Sequence, residues 1–179
     1  DPSSELKLSG TNMISGPVSL NAGVIDVDES TTLNSLTLGG SAVIDVAQDK
    51  TLTYEGSALS LGANTLTIAG AGIFSNTNAL VLGDQESVLK LSGTNTISGP
   101  VSLNAGIIVV NGSTSLNSDL TLGGSATIHV DPGKTLTYGG ASIFLGRNRL
   151  KFTGSGTLSS TNALVLSESE SILDLRGTN

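Results

Sequence analysis

Apolar and polar residues alternate in short runs along almost the whole chain, and Gly, Ser, Asn and Asp punctuate the runs. Alternation at period two sends successive side chains to opposite sides of an extended strand, whereas a helix needs apolar positions three and four apart. The pattern therefore predicts short strands separated by bends, and no helix. An apolar pair with one residue between its members opens each cycle, at Leu6 and Leu8, Ile25 and Val27, Ile44 and Val46, and Leu66 and Ile68, the starts lying 19, 19 and 22 residues apart. It returns at Leu89 and Leu91, Ile108 and Val110, Ile128 and Val130, Leu150 and Phe152, and Leu173 and Leu175. Each interval reads as one coil. A second inward pair falls late in every coil: Val18 and Leu20, Leu36 and Leu38, Leu59 and Leu61, Leu80 and Leu82, Val101 and Leu103, Leu120 and Leu122, Ile143 and Leu145, and Leu164 and Leu166. Between the two pairs lies a middle apolar position, at Ile14, Leu33, Leu52, Ile73, Ile97, Leu116, Leu136 and Leu158. Three inward faces per coil imply a roughly triangular cross-section.

A longer period is superimposed on the coils. Leu89 to Gly106 copies Leu6 to Gly23 with Thr96 in place of Met13, so residues 6–88 and 89–172 are two copies of one four-coil unit. Asp119 is the extra residue of the second copy, and residues 173–179 read as the start of a third. A domain seldom ends one strand into its own repeat, so the chain is expected to be a slice of a longer protein, with residues 1–179 forming one continuous segment.

Coils this alike bury their aliphatics best by stacking in register, each strand pairing in parallel with its counterpart about 4.8 Å away in the next coil. The expected fold is an all-β, right-handed parallel β-solenoid (a β-helix) of about eight coils of 19–23 residues, with three short strands per coil. Its handedness follows the rule for parallel crossovers. The rod would be roughly 40 Å long. Burying about five aliphatics per coil contributes about 2 kcal/mol each, which is less than the cost of ordering about 20 residues at more than 1 kcal/mol each. A lone coil is thus unstable, and neighbours must hold it. Ile25, Ile44 and Leu66 are expected to sit above one another.

Gly39-Gly40, Gly123-Gly124 and Gly139-Gly140 fall at bends, where glycine tolerates positive φ. Pro17 and Pro100 precede late strands, where a missing N–H harms a ladder least. Asn12, Asn64, Asn78, Asn95, Asn148 and Asn162 are expected to bond backbone groups at corners.

Composition narrows the function. The chain has no Cys, no Trp, 3% aromatic residues, 23 Gly and a net charge of -7. Without Cys there is neither a disulfide framework nor a thiolate metal site, which permits secretion. The acidic balance argues against nucleic acid, whose affinity comes mainly from phosphate neutralisation by Lys and Arg. No apolar run reaches the roughly 20 residues of a membrane helix, so the segment is not expected to insert into a membrane.

Few side chains offer chemistry. His129 stands alone between inward Ile128 and Val130, with no second His for a metal and no triad around it. Asp26 and Asp45 project outward from successive coils, and paired carboxylates about 5 Å apart can serve glycoside hydrolysis. The second copy has Val109 and His129 at those places, however, which favours a plain surface ladder of Lys7, Asp26, Asp45, Thr67, Lys90, Val109, His129, Lys151 and Asp174. Arg147, Arg149 and Lys151 form the one basic cluster, read either as a patch for the carboxylates of acidic glycans or as drift on an exposed edge. Phe144 lies on an outward row of the late strands with Ser19, Thr37, Ser60, Val81, Ser102, Thr121 and Val165, where an exposed aromatic offers a lateral contact. The Thr-x-Thr pairs at Thr51 and Thr53, Thr65 and Thr67, and Thr135 and Thr137 are similar to ice-binding faces. The first and third belong to middle strands and the second to a first strand, so no continuous row and no thermal hysteresis are expected.

Two stretches carry a resemblance. Leu8-Ser9-Gly10-Thr11-Asn12 through Val18-Ser19-Leu20-Asn21-Ala22-Gly23, and Leu91 through Gly106, resemble the passenger-associated repeats of bacterial autotransporters and related surface adhesins. In that family an L-S-G-x-N-T stretch leads to a strand and then to N-A-G and an alternating strand, as Asn104-Ala105-Gly106 leads to Ile107-Ile108-Val109-Val110 here. The aromatic often found after N-T is replaced by Ile14 and Ile97. The resemblance implies an extracellular or bacterial cell-surface stalk or passenger. The function expected is therefore a non-catalytic repeat segment of a large adhesin, with no cofactor. Its partners would be a host or cell-surface receptor or glycan, the neighbouring repeats of the parent chain, and other copies joined end to end. A polysaccharide-binding or polysaccharide-degrading β-helix and a self-assembling filament segment are the alternatives.

Overall fold

The computed structural model describes residues 4–160, Asn162 and residues 168–176. Among them every regular element is a strand, and every pairing is parallel and joins one coil to the next. The first face is a nine-stranded sheet running from Glu5–Leu8 to Ile172–Leu175, and the middle face is an eight-stranded sheet from Asn12–Ile14 to Thr157–Ser160. The late face is divided: Val18–Leu20 pairs with Leu36–Leu38, and a separate five-stranded sheet runs from Leu59–Ser60 to Ile143–Phe144. Leu164, Val165 and Leu166, assigned above to the eighth late strand, lie outside the described residues. The fold is the β-solenoid that the alternation implies, with about eight turns around one aliphatic core.

The first-face ladder is not straight. Leu6, Ile25 and Ile44 stack as expected, but Ile44 then meets Ile68, and Leu66 sits over Ala42. The second copy repeats the step, since Ile128 meets Phe152 and Leu150 sits over Ala126. Measured along the ladder, these coils have 24 residues, one more than the longest expected. A two-residue step leaves the same side chains facing inward, so the core tolerates it where a one-residue slip would turn every aliphatic outward.

The middle face also differs from the expected row. Leu33 is followed by Tyr54, Asn76 and Ile97, while Leu52 sits over Thr31 and under Phe74. Phe74 is buried and Ile73 points to solvent, which reverses the assignment of Ile73 to the core. Asn95 bonds corner backbone as expected, but from a buried position inside the following strand rather than from the bend itself. Its amide donates to the Ser92 carbonyl at 2.9 Å and the Thr114 hydroxyl at 3.4 Å. Four of the other five asparagines do bond backbone at bends, Asn12 to Gly10, Asn64 to Leu61, Asn148 to Leu122, and Asn162 to Gly139 and Gly140. Asn78 gives its amide to the Thr77 hydroxyl instead.

The paired glycines at bends serve a purpose other than the expected one. None of Gly39, Gly40, Gly123, Gly124, Gly139 or Gly140 has positive φ. A Cβ built on Gly124 falls 1.9 Å from the Asn104 carbonyl oxygen, and one on Gly40 falls 1.8 Å from that of Asn21. A Cβ on Gly140 would fall 2.1 Å from the Ser118 carbonyl oxygen, so the second glycine of each pair presses on the backbone of the preceding coil and only a residue without Cβ fits there, whereas one on Gly139 would meet nothing closer than Asn117 Oδ1 at 3.2 Å.

Asp119 explains why the two copies differ on the late face. Its carboxylate accepts from the Ser142 amide at 3.0 Å, and Leu120–Leu122 pairs with Ile143–Phe144. The first copy has no residue equivalent to Asp119, and there the late face breaks between Leu36–Leu38 and Leu59–Ser60. The neighbouring tyrosines record the difference. The Tyr138 hydroxyl donates to the Ser142 carbonyl and accepts from the Leu120 amide, whereas the buried Tyr54 hydroxyl and Asn34 Oδ1 have no partner among the described residues. Burial, opposed by the Leu120 amide, raises the Tyr138 phenol above its ordinary value. Removing a buried hydroxyl that is paired leaves its partners unsatisfied, while removing an unpaired one does not. Tyr138→Phe should therefore lower stability by about 1 kcal/mol and Tyr54→Phe by less or not at all. Urea unfolding of the two variants checks this, and equal losses would contradict the assigned hydrogen bonds.

Candidate functional site

Charge gathers on the outward side of the first face and at the bends. Lys7 reaches both Asp26 at 2.9 Å and Asp28 at 3.0 Å. The two carboxylates, Asp26 first, raise the lysine, and the hydrogen bond from Lys7 holds Asp28 below the usual carboxylate range. Asp26 and Asp45 are direct neighbours on the ladder, as expected. Beyond Asp45 the register step changes the row, because Asp45 meets Ala69, Thr67 meets Val43, His129 meets Thr153 and Lys151 meets Thr127. The His129 ring is held on both sides, Nδ1 lying 2.9 Å from Thr153 Oγ1 and Nε2 lying 3.2 Å from Asp131. Among the described residues no three His, Asp or Glu side chains cluster closely enough to hold a metal ion.

The basic cluster divides into two parts. Arg149 and Lys151 project from the outward side of Arg149–Thr153 and line a shallow groove of about 270 Å³ with Gln85, Ile107 and Thr127. Asp174 in the next coil sits directly beside Lys151, and the Arg149 guanidinium reaches it at 2.9 Å. Arg176 contacts the same carboxylate at 2.9 Å. The Arg176 hydrogen bond, with the charges of Arg176, Arg149 and Lys151, holds Asp174 below the usual range. The planar fork of Arg149 is thus engaged within the chain. Arg147 stands at an exposed bend and makes no ion pair among the described residues. Phe144 is 45% exposed beside Thr121 on the late face.

The middle face presents what the sequence reading missed. Its outward positions form an unbroken row, Thr32, Thr53, Ser75, Thr96, Ser115, Thr137 and Ser159, one residue per coil. A second row runs two residues earlier in the same strands, through Thr51, Ile73, Thr94, Ser113, Thr135 and Thr157. The expectation that the Thr-x-Thr pairs continue no row is therefore wrong for the middle strands. Thr51 with Thr53 and Thr135 with Thr137 belong to one grid, and only Thr65 with Thr67 lies elsewhere. No outward position of these strands carries a charge. None of the hydroxyls in the first row bonds within the described residues. At the start of the grid Thr11, Asn12, Met13, Ser30, Thr32, Thr51 and Thr53 surround a shallow hollow of about 240 Å³, beside which the Met13 side chain is 74% exposed. The clue lay in Tyr54 and Tyr138: taken as inward residues, they make Thr53 and Thr137 outward on the same face.

A curated protein that matches is the Adhesin BmaC autotransporter of Brucella suis biovar 1 (strain 1330), 26% identical over 174 residues. The match covers 87% of this chain and 5% of the adhesin, so the chain spans about a twentieth of that protein's length. No family model matches the chain, and no solved structure matches it significantly. The similarity and the stacked-coil fold together fit a passenger-type repeat segment.

Proposed function

We propose that the chain is a non-catalytic repeat segment from the passenger of a large bacterial surface or secreted adhesin, placed outside the cell as a stiff spacer that carries or contributes to adhesion. The observation behind this reading is the nine-stranded first-face sheet, which passes through every coil and ties each to the next by backbone hydrogen bonds. A ladder of that kind resists bending, and added repeats lengthen it without changing its cross-section. The adhesin similarity over most of the chain supports the same reading. Among the described residues no long loop overhangs Asp26 and Asp45, and Asp26 is engaged by Lys7, which weighs against the hydrolytic alternative.

Duplicating the four-coil unit tests the spacer role. Four more coils should extend the maximum dimension by roughly 19 Å at unchanged cross-sectional radius in small-angle X-ray scattering. Growth of the cross-section in place of the length would defeat the proposal.

A further inference from the structure

We infer that the hydroxyl grid of the middle face is a binding surface for a neutral, extended, β-linked polysaccharide, and so supplies the adhesive surface of the segment. The inference rests on the adhesin reading for its setting and on the geometry of the face for its content.

The outward positions of the face carry no charge, and the nearest charges, Lys50 with Glu29 and Lys134, stand at the bends beside it. Its outward positions are Thr and Ser, with Ile73 and Met13 as the apolar exceptions, and the charges of the chain lie on the first face and at the bends. Each Ser or Thr hydroxyl is both a donor and an acceptor, as is each sugar hydroxyl, so two such surfaces satisfy one another without a change of charge. The hydroxyls of Thr53, Ser75, Thr96, Ser115, Thr137 and Ser159 make no bond within the described residues and are available outside the molecule. Their spacing is regular, about 4.8 Å along the solenoid and roughly 6.7 Å between the rows. A pyranose in an extended β-linked chain advances by nearly the same distance as one coil. Successive sugars laid along the axis therefore meet successive coils, and weak single contacts accumulate as they do in any multivalent array.

The hollow bounded by Thr11, Asn12, Thr32, Thr51 and Thr53 favours a sugar over an ice plane. At about 240 Å³ it admits one ring, with the Met13 side chain beside it as an apolar wall. A lattice plane needs an even surface, and both this hollow and the Ile73 side chain interrupt the grid.

The test is depletion of the 179-residue chain from solution by microcrystalline cellulose. The wild-type chain should be retained. A variant carrying Thr53→Val, Thr96→Val and Thr137→Val should bind at least tenfold more weakly. Valine keeps the shape and the strand preference of threonine, so an unchanged circular dichroism spectrum certifies the fold. Equal or stronger retention of the variant overturns the inference. So does absence of retention of the wild type, and ice shaping alongside it would assign the grid to ice. Retention that disappears in moderate salt overturns it as well, since that marks ionic capture by residues such as Arg147. The rod-length measurement on the duplicated unit is independent of all these outcomes, so either proposal can fail while the other stands.

Discussion

Gly124→Ala should lower the stability of the protein by about 3 kcal/mol, at the upper end of what overpacking costs. The added Cβ would lie 1.9 Å from the Asn104 carbonyl oxygen, which belongs to backbone and cannot swing aside as a flexible side chain would. Relief requires the two coils to part, and with them the pairing of Val101–Leu103 with Leu120–Leu122 on the late face. Two further substitutions separate this cause from the usual one. Gly83 has ordinary φ and open space around its Cβ position, so Gly83→Ala should be neutral or stabilise by up to about 1 kcal/mol. Gly133 also has open space but sits at φ 70°, so Gly133→Ala should cost about 1 kcal/mol through backbone strain alone. Thermal melts followed by circular dichroism would rank the three, and a loss at Gly124 no larger than that at Gly133 would mean that the coils are not in close approach there.

The comparison of these glycines shows which parts of the structure the sequence discloses. A missing Cβ is demanded equally by left-handed φ and by a neighbouring backbone, so the letters of Gly123-Gly124 alone cannot separate the two. The coil and its inward faces were legible because alternation is local: Ile25, Val27, Ile44 and Val46 need only their own strand to declare a side. Register is not local. A step of two residues preserves the inward face, so the hydrophobic pattern is the same whether Ile44 meets Leu66 or Ile68. What fixes the step is the length of the connections between strands, and that is read only when coils are stacked. The candidate sites follow the same division. The proximity of Lys151 to Asp174 was visible from equivalent positions in successive coils, and the structure keeps it. The hydroxyl grid was not visible, because its inward anchors alternate among Leu33, Tyr54, Asn76 and Ile97 and no single residue class marks the row.

Phe74→Ala should be the most damaging side-chain truncation on the middle face, costing about 3–5 kcal/mol, while Ile73→Ser beside it should change stability by less than about 0.5 kcal/mol. The ring of Phe74 is 2% exposed and fills the row between Leu52 and Asn95. Its surroundings offer little to close a cavity, because the rungs above and below are held in place by backbone ladders on the first and middle faces. Two polar groups stand near the hole. Asn76 on the same strand and Asn95 in the next coil are both buried, each with one side-chain atom lacking a partner among the described residues. Loss of the ring thins the apolar packing around groups whose burial is already costly. Each coil of a solenoid leans only on its neighbours, so the damage should stay local. Hydrogen exchange should show faster opening of the strands Thr51–Tyr54, Ile73–Asn76 and Thr94–Ile97, with Ser113–Leu116 and Thr135–Tyr138 nearly unchanged. If Ile73→Ser instead proves the more costly change, then Ile73 and not Phe74 faces the core. The strand would have to turn over, and Ser75 would leave the hydroxyl row with it.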